Sequence, residues 1–159
     1  MRCGCRSHFI GRLYSSENAS KSLLKYVLIS ESTNIFENLA LEDWLYENYD
    51  LSKREILLLW RNTPAVVIGR HQNPWLETNV EGNSSRNILT VRRNSGGGTV
   101  YHDMGNLNLS FLTGRNRYNR VHNLEIIVRS LRKEWGIESK VNSRSDISVK
   151  SKKVTVVFY

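Results

Sequence analysis

The stretch that most constrains this chain runs Arg92-Arg93-Asn94-Ser95-Gly96-Gly97-Gly98-Thr99-Val100-Tyr101-His102-Asp103. Three successive glycines give up side-chain packing and cost backbone entropy, so a folded chain uses them where the backbone bends sharply or comes very close to something. Ile88 to Val91 reads as a strand leading in, and Leu107 to Phe111 as an alternating strand leading out. In such a loop the freed N–H groups can converge on one anion, a nest able to hold a phosphate. The glycines alone fit a flexible hairpin loop better than a site. The two arginines before them and the Tyr-His-Asp after them favour a site, because a hinge has no use for them.

The chain has 159 residues, about one domain's worth, with 40% hydrophobic and 24% charged residues. No apolar run approaches the roughly 18 residues of a membrane span. The net charge of +8 raises the question of nucleic acid, but its distribution argues against that reading. Residues 1–30 carry five Lys/Arg against one acid, residues 31–110 carry seven against ten, and residues 111–159 carry eleven against four. The block holding the glycine loop is slightly acidic. Basic ends fit a targeting segment and a surface for an acidic partner better than a groove that tracks phosphates.

Residues 1–15 read as a mitochondrial transit peptide: Arg2, Arg6 and Arg12, with serines, Phe9, Ile10 and Leu13, and no acid before Glu17. An ordinary basic tail is the alternative. Cys3 and Cys5 both lie in this segment, so a processed chain has neither a thiol nucleophile nor a disulfide, and no metal site is expected.

Beyond it, strands and helices alternate. Tyr26 to Ile29 reads as a strand. Asn34 caps a helix, with Glu37 three residues on and Ile35, Leu39, Tyr46 and Tyr49 at helical spacing. Ile56–Trp60 and Ala65–Ile68 read as a hairpin joined by Arg61 to Pro64, and Trp44 and Trp60 as core. Gly69 to Trp75 is a loop directly off a buried run, which makes Arg70 and Gln72 candidates for the same cavity as the glycine loop. Leu107, Leu109 and Phe111 share one strand face and Asn106, Asn108 and Ser110 the other, a surface strand or the floor of a polar site. Arg120–Trp135 is an amphipathic helix with Val121, Leu124, Ile127, Val128, Leu131 and Trp135 on one stripe, stopped by Gly136. A final hairpin turns at Lys150-Ser151.

Val67-Ile68-Gly69-Arg70-His71-Gln72-Asn73-Pro74-Trp75, followed by the arginine and glycine motif through Asn106, resembles the lipoate-protein ligase A and mitochondrial lipoyltransferase family. The likeness extends from about Ile29 to Val154. It implies an α+β fold, a mixed β-sheet with packed helices of the biotin and lipoate ligase, class II synthetase-like type. The domain would occupy residues 26–159. It implies a lipoyltransferase (acyltransferase) that moves lipoyl, by way of lipoyl-AMP, to a specific lysine of an acceptor. Biotin ligases share the chemistry, but the Tyr-His-Asp after the glycines favours lipoate.

By motif match, Arg93, Gly98, Thr99, Val100, Tyr101 and Arg144 would contact lipoyl-AMP, and Lys153 would be the catalytic lysine that holds carboxylate and phosphate in attack geometry. Arg70, Arg92, Ser95, Gly96, Gly97, His102 and Asp103 are further candidates. ATP and magnesium enter only if the chain is a full lipoate-protein ligase. The implied partners are the glycine cleavage H protein and the lipoyl domains of 2-oxoacid dehydrogenase acyltransferases, in the mitochondrial matrix, with neither nucleic acid nor membrane. Arg115, Arg117, Arg120 and Arg129 would face the acidic acceptor. The family continues Lys-(Val/Ile)-Ser-Gly where this chain has Lys153-Val154-Thr155-Val156. The expectation is therefore a domain incomplete at its C-terminus, with an inactive or lipoyl-AMP-binding fragment as the alternative to a working enzyme.

Overall fold

The computed structural model describes residues 11–16, 23–143, 146–150 and 152–154. Strands β1 (Gly11–Ser16), β2 (Leu24–Ser30), β3 (Arg54–Trp60) and β7 (Asn108–Leu112) form one sheet in the order β1-β2-β3-β7. Strands β4 (Ala65–Ile68), β5 (Leu89–Arg92) and β6 (Val100–His102) form a second, ordered β5-β4-β6. Strands β8 (Ser139–Val141), β9 (Ile147–Val149) and β10 (Lys152–Val154) make an antiparallel meander. β2 with β3 and β4 with β5 are parallel, and β1, β6 and β7 join antiparallel. With helices α1 (Ile35–Asn48) and α4 (Arg120–Trp135) and the short α2 (Pro74–Glu77) and α3 (Val80–Ser85), this is the expected α+β architecture of mixed sheets. The segment read as a leader overlaps β1, which pairs with β2 from Gly11↔Ser30 to Ser16↔Lys25. Among the described residues no helix is long and apolar enough to cross a membrane.

Helix α1 begins where Asn34 accepts from the Phe36 N–H at 2.9 Å. Glu37 does not close the box on Asn34 itself. It accepts from the Ser32 hydroxyl, which in turn accepts from the Asn34 N–H, so the reciprocal cap runs through one intermediate residue. The inward stripe is Ile35, Asn38, Leu39, Glu42 and Leu45. Tyr46 and Trp44 are on the outside, Trp44 47% exposed, which corrects their reading as inward or core residues. The cause is a stripe one position away: Asn38 and Glu42 hold inward places that hydropathy assigns to solvent. Asn38 is fully buried because it ties three elements, donating to Ser32 O and Arg61 O and accepting from Ser30 Oγ.

Trp60 is core as expected, 1% exposed, together with Leu28, Ile56, Leu58, Val67 and Leu112. The hairpin between β3 and β4 is a correction, because the two strands belong to different sheets. Arg61 to Pro64 carries the chain from one sheet to the next, anchored by Thr63 N–H to Thr33 O. All four β4 residues are buried, as suits a central strand covered on both faces, whereas β3 alternates. Strand β7 resolves its two-way reading: Asn108, Ser110 and Leu112 are the buried residues, set opposite Trp60, Leu58 and Ile56. The polar face therefore points into the protein.

Helix α4 keeps its expected ends. Asn119 accepts from the His122 N–H, and Gly136 adopts φ 63° with its N–H on Arg132 O while Ile137 N–H returns to Leu131 O. Only Asn123 and Leu124 are buried on it, and Val121 and Trp135 are exposed, so the predicted stripe is packed over part of its length. The last hairpin pairs Lys152 with Val149 across Lys150 at φ 47°. Residues past Val154 lie outside the described residues.

Candidate functional site

The parallel pairing of β4 and β5 sets Ile68 beside Arg92, so the loops that follow both strands leave from one edge of the sheet. Ligand sites of parallel sheets form at such carboxyl ends. Here the two loops are stitched together: Arg93 N–H bonds Ile68 O and Arg70 N–H bonds Ser95 O, each at 3.0 Å. Gln72 Oε1 accepts from Gly69 N–H and from Thr99 Oγ1, both at 2.9 Å. Gly69 packs against the second loop so closely that a Cβ on it would stand 2.0 Å from Gly97 O. Gly97 itself has φ 93°, a region that favours glycine.

The consecutive arginines fasten one loop each. Arg92 Nη1 donates to Gly69 O, Arg70 O and Gln72 O at 2.8 to 3.0 Å. Arg93 is buried, and its guanidinium donates to Gly96 O, Gly98 O and Val67 O at 2.7 to 3.2 Å. These hydrogen bonds go to backbone carbonyls, and both side chains act as the frame of the site. Gly96 and Gly98 differ from Gly69, because a Cβ on either would meet nothing within 4 Å. Their backbone faces open space, the condition for close approach by a ligand.

The remaining candidates fall around this frame. Ser95 has a buried hydroxyl without a hydrogen-bond partner and lines a cleft of about 720 Å³. Val100 packs against the core, and Tyr101 on the same short strand is exposed. Asp103 Oδ1 accepts from Gly105 N–H, which closes the turn into β7. His102 is buried against Trp60, its ring edge-on at 5.8 Å, and neither ring nitrogen has a partner. Burial above all, with the nearby Arg93 charge, lowers the His102 pKa from 6.5 to about 4, so the imidazole is neutral at pH 7. Lys153 lies in β10 opposite Ser148, and Arg144 lies outside the described residues. Among the basic residues assigned to a partner, Arg117 is engaged within the chain, donating to Leu51 O and Ser52 O and sitting 3.4 Å from Glu55.

The cleft runs from Ser95, Asn94 and Arg70 to Glu42, Asp43 and Glu47 of α1, with Phe111 to Thr113, Arg115 and Tyr118 on the other side. Arg70 is thus brought beside the glycine loop, as the sequence suggested. Asn94 donates from Nδ2 to Asp43 Oδ2 and latches the loop to α1. Glu42 was not among the sequence candidates, since a carboxylate on an amphipathic helix reads as solvated. The signal available was its spacing, four residues after Asn38 and three before Leu45. Burial first, then Asp43, raises its pKa from 4.5 to about 7, while Ser110 and Arg93 oppose the rise. No group of three or more His, Cys, Asp or Glu is placed to hold a metal among the described residues.

A family profile for the lipoyl protein ligase A/B catalytic domain matches residues 34–155. The mitochondrial lipoyl amidotransferase LIPT1 of Mus musculus is 53% identical over 105 residues, 66% of this chain and 28% of that protein. Lipoate–protein ligase 1 of Plasmodium falciparum is 40% identical over 152 residues, 88% of this chain and 36% of that protein. The chain thus spans between about a quarter and little more than a third of the length of these relatives. The crystal structure of the Plasmodium falciparum LipL1 with lipoate superposes with a TM-score of 0.74 at 40% identity, covering 81% of this chain and 42% of that one. A lipoate-protein ligase A bound with ATP gives 0.66 at 27% identity, covering 83% and 57%.

Proposed function

The chain belongs to the lipoyl protein ligase A/B catalytic-domain family, and from that premise we propose that it binds lipoyl-AMP and passes the lipoyl group to a lysine of an acceptor protein. The observation that carries this reading is the pair of stitched loops, with the backbones of Gly96 and Gly98 open to solvent beside a cleft of about 720 Å³. Lipoyl-AMP is a mixed anhydride with a phosphate and an apolar acyl chain. The open glycine backbone suits the phosphate and the cleft suits the chain. Charge grows on the phosphate as the carbonyl is attacked, and fixed backbone donors oppose no reorganisation at that moment.

In this reading Arg93 acts through the loop it fastens, and Gly98, Thr99, Val100 and Tyr101 contribute the strand edge along which the nucleotide lies. Lys153 and Arg144 are the proposed cationic contacts to the acyl carbonyl and phosphate. The attacking amine belongs to the acceptor, so the chain needs no nucleophile of its own. The proposed acceptors are the glycine cleavage H protein and 2-oxoacid dehydrogenase lipoyl domains, and the proposed site of action is the mitochondrial matrix, reached with a leader of residues 1–15. A similar solved structure belongs to an archaeal lipoylation system described as a bi-partite lipoate protein ligase and its E2 lipoyl domain.

The test is the intact mass of an apo H protein after incubation with lipoyl-AMP and the full chain, with Lys153→Ala beside it. A gain of one lipoyl group, lost in the variant, is the expected result. No gain from a folded chain that still binds lipoyl-AMP overturns transfer and leaves binding. A parallel incubation with lipoate, ATP and magnesium separates a complete ligase from a transferase.

A further inference from the structure

Helix α1 carries a carboxyl group where its inward stripe calls for hydrocarbon. Glu42 lies one turn from both Leu39 and Leu45 and is 7% exposed. An ionised carboxylate in such a place needs a cation or several donors. Among the described residues it forms no ion pair with Lys or Arg. The Arg93 guanidinium nearby is directed at Gly96 O, Gly98 O and Val67 O. What Glu42 has is Ser110, a fully buried hydroxyl that acts on it as a hydrogen-bond partner. The Trp60 indole N–H donates to Ser110 Oγ at 2.9 Å. That contact uses the oxygen as an acceptor and leaves the Ser110 O–H to point at the carboxyl. One side of Glu42 is held by this relay, while Oε1 has no partner and the residue lines the cleft.

The charged and titratable groups around it come from every packed element. Asp43, Tyr46 and Glu47 share its helix, Arg93 follows β5, and the neutral His102 sits behind Trp60 on β6. Across the cleft stand Arg70, Arg115 and Tyr118. None of these replaces the missing donor at Oε1.

We propose that Glu42 is a protonation switch for the cleft: neutral, it completes a floor that accepts the hydrocarbon part of an acyl ligand; ionised, it holds water there and excludes it. The proposal rests on the acyl-binding reading above for the nature of the ligand. Desolvation is the largest influence on this carboxyl, and a hydrocarbon filling the cleft removes further water, so ligand binding and proton uptake favour each other. Asp43 works in the same direction and lines the same cleft, where its carboxylate also accepts from Asn94, a bond that an asparagine side-chain oxygen can still accept.

The test is calorimetric titration of the full chain with lipoamide, which carries no charge, from about pH 5.5 to 8.5, a range that brackets the Glu42 pKa of about 7. The expected profile is flat on the acid side and falls toward about tenfold in affinity per pH unit on the alkaline side. Glu42→Gln should bind with a flat profile. Asp43→Asn should move the midpoint to lower pH, because removing a negative neighbour eases ionisation of Glu42; a merely structural change there has no reason to do so. A wild-type profile without slope, or a slope that survives in Glu42→Gln, overturns the switch while leaving acyl binding intact. Absence of lipoamide binding at every pH in both proteins overturns the acyl reading, and the switch with it.

Discussion

The two halves of the site treat their polar groups in opposite ways. In the frame, Arg92, Arg93, Gln72 and Thr99 have their donors and acceptors directed at neighbouring loop groups, and the two loops hold one arrangement. Around the cleft, Glu42 Oε1 and the Ser95 hydroxyl are buried without partners, and so, behind it, are both nitrogens of His102 and Asn108 Nδ2. A satisfied network stabilises a single shape, whereas unsatisfied buried groups cost stability and retain their capacity to respond to a ligand or a proton. The frame therefore holds the two loops in one arrangement, and the proposed switch lies beside it at Glu42.

The largest expected effect separates glycines within the frame. Gly69→Ala places a Cβ against Gly97 O and should cost more than about 3 kcal/mol in denaturant unfolding, beyond the usual range for a single added methyl. Gly98→Ala meets nothing within 4 Å and should leave stability within about 0.5 kcal/mol while weakening lipoyl-AMP binding. Equal destabilisation by both would break the distinction between a glycine needed for loop contact and one needed for ligand approach.

Next in size is Arg93→Ala, which strands the carbonyls of Gly96, Gly98 and Val67. It should cost about 2–4 kcal/mol. Arg92→Ala, at an exposed position where water can take over the carbonyls, should cost about 1 kcal/mol. A reversed order would mean that the glycine loop is held by something other than its buried arginine.

The unpartnered groups are tested by pH. Folded Glu42 keeps its proton to about 7 but releases it near 4.5 when unfolded, so the folded chain holds the extra proton between those values and stability falls as pH rises through them. His102 behaves oppositely: the unfolded chain holds the extra proton between about 4 and 6.5, and stability is lost as pH falls through that window. The two slopes offset one another where they overlap. Glu42→Gln should expose the histidine slope and stabilise the chain by up to about 3 kcal/mol at pH 8, with little effect at pH 4. Denaturant midpoints measured across pH 4 to 8 check this, and an unchanged profile would show that Glu42 is solvated.

Local chemistry made part of this legible beforehand. Asn34 and Gly136 mark helix ends because a capping side chain and a left-handed terminus act within a few residues. The glycine run stands out as a candidate site because three glycines following two arginines make little sense as packing. The β3–β4 connection was misread because a turn that reverses a strand and a link that changes sheet use the same residues. Glu42 was missed for a related reason: a helix records which residues share a face, and not what that face meets.

By itself the sequence determined the glycine loop, the loop from Gly69 to Trp75 and the ends of α1 and α4, since these depend on backbone freedom, capping and short-range pattern, while the α+β class followed from the resemblance to a known family. Only the tertiary structure decided that Arg92 and Arg93 clamp separate loops, that the polar face of β7 points inward, and that Glu42 meets Ser110 at the floor of a cleft. Those outcomes depend on which strands lie side by side and what each face is buried against, contacts between residues far apart in the chain, 50 positions in the case of Trp60 and Ser110.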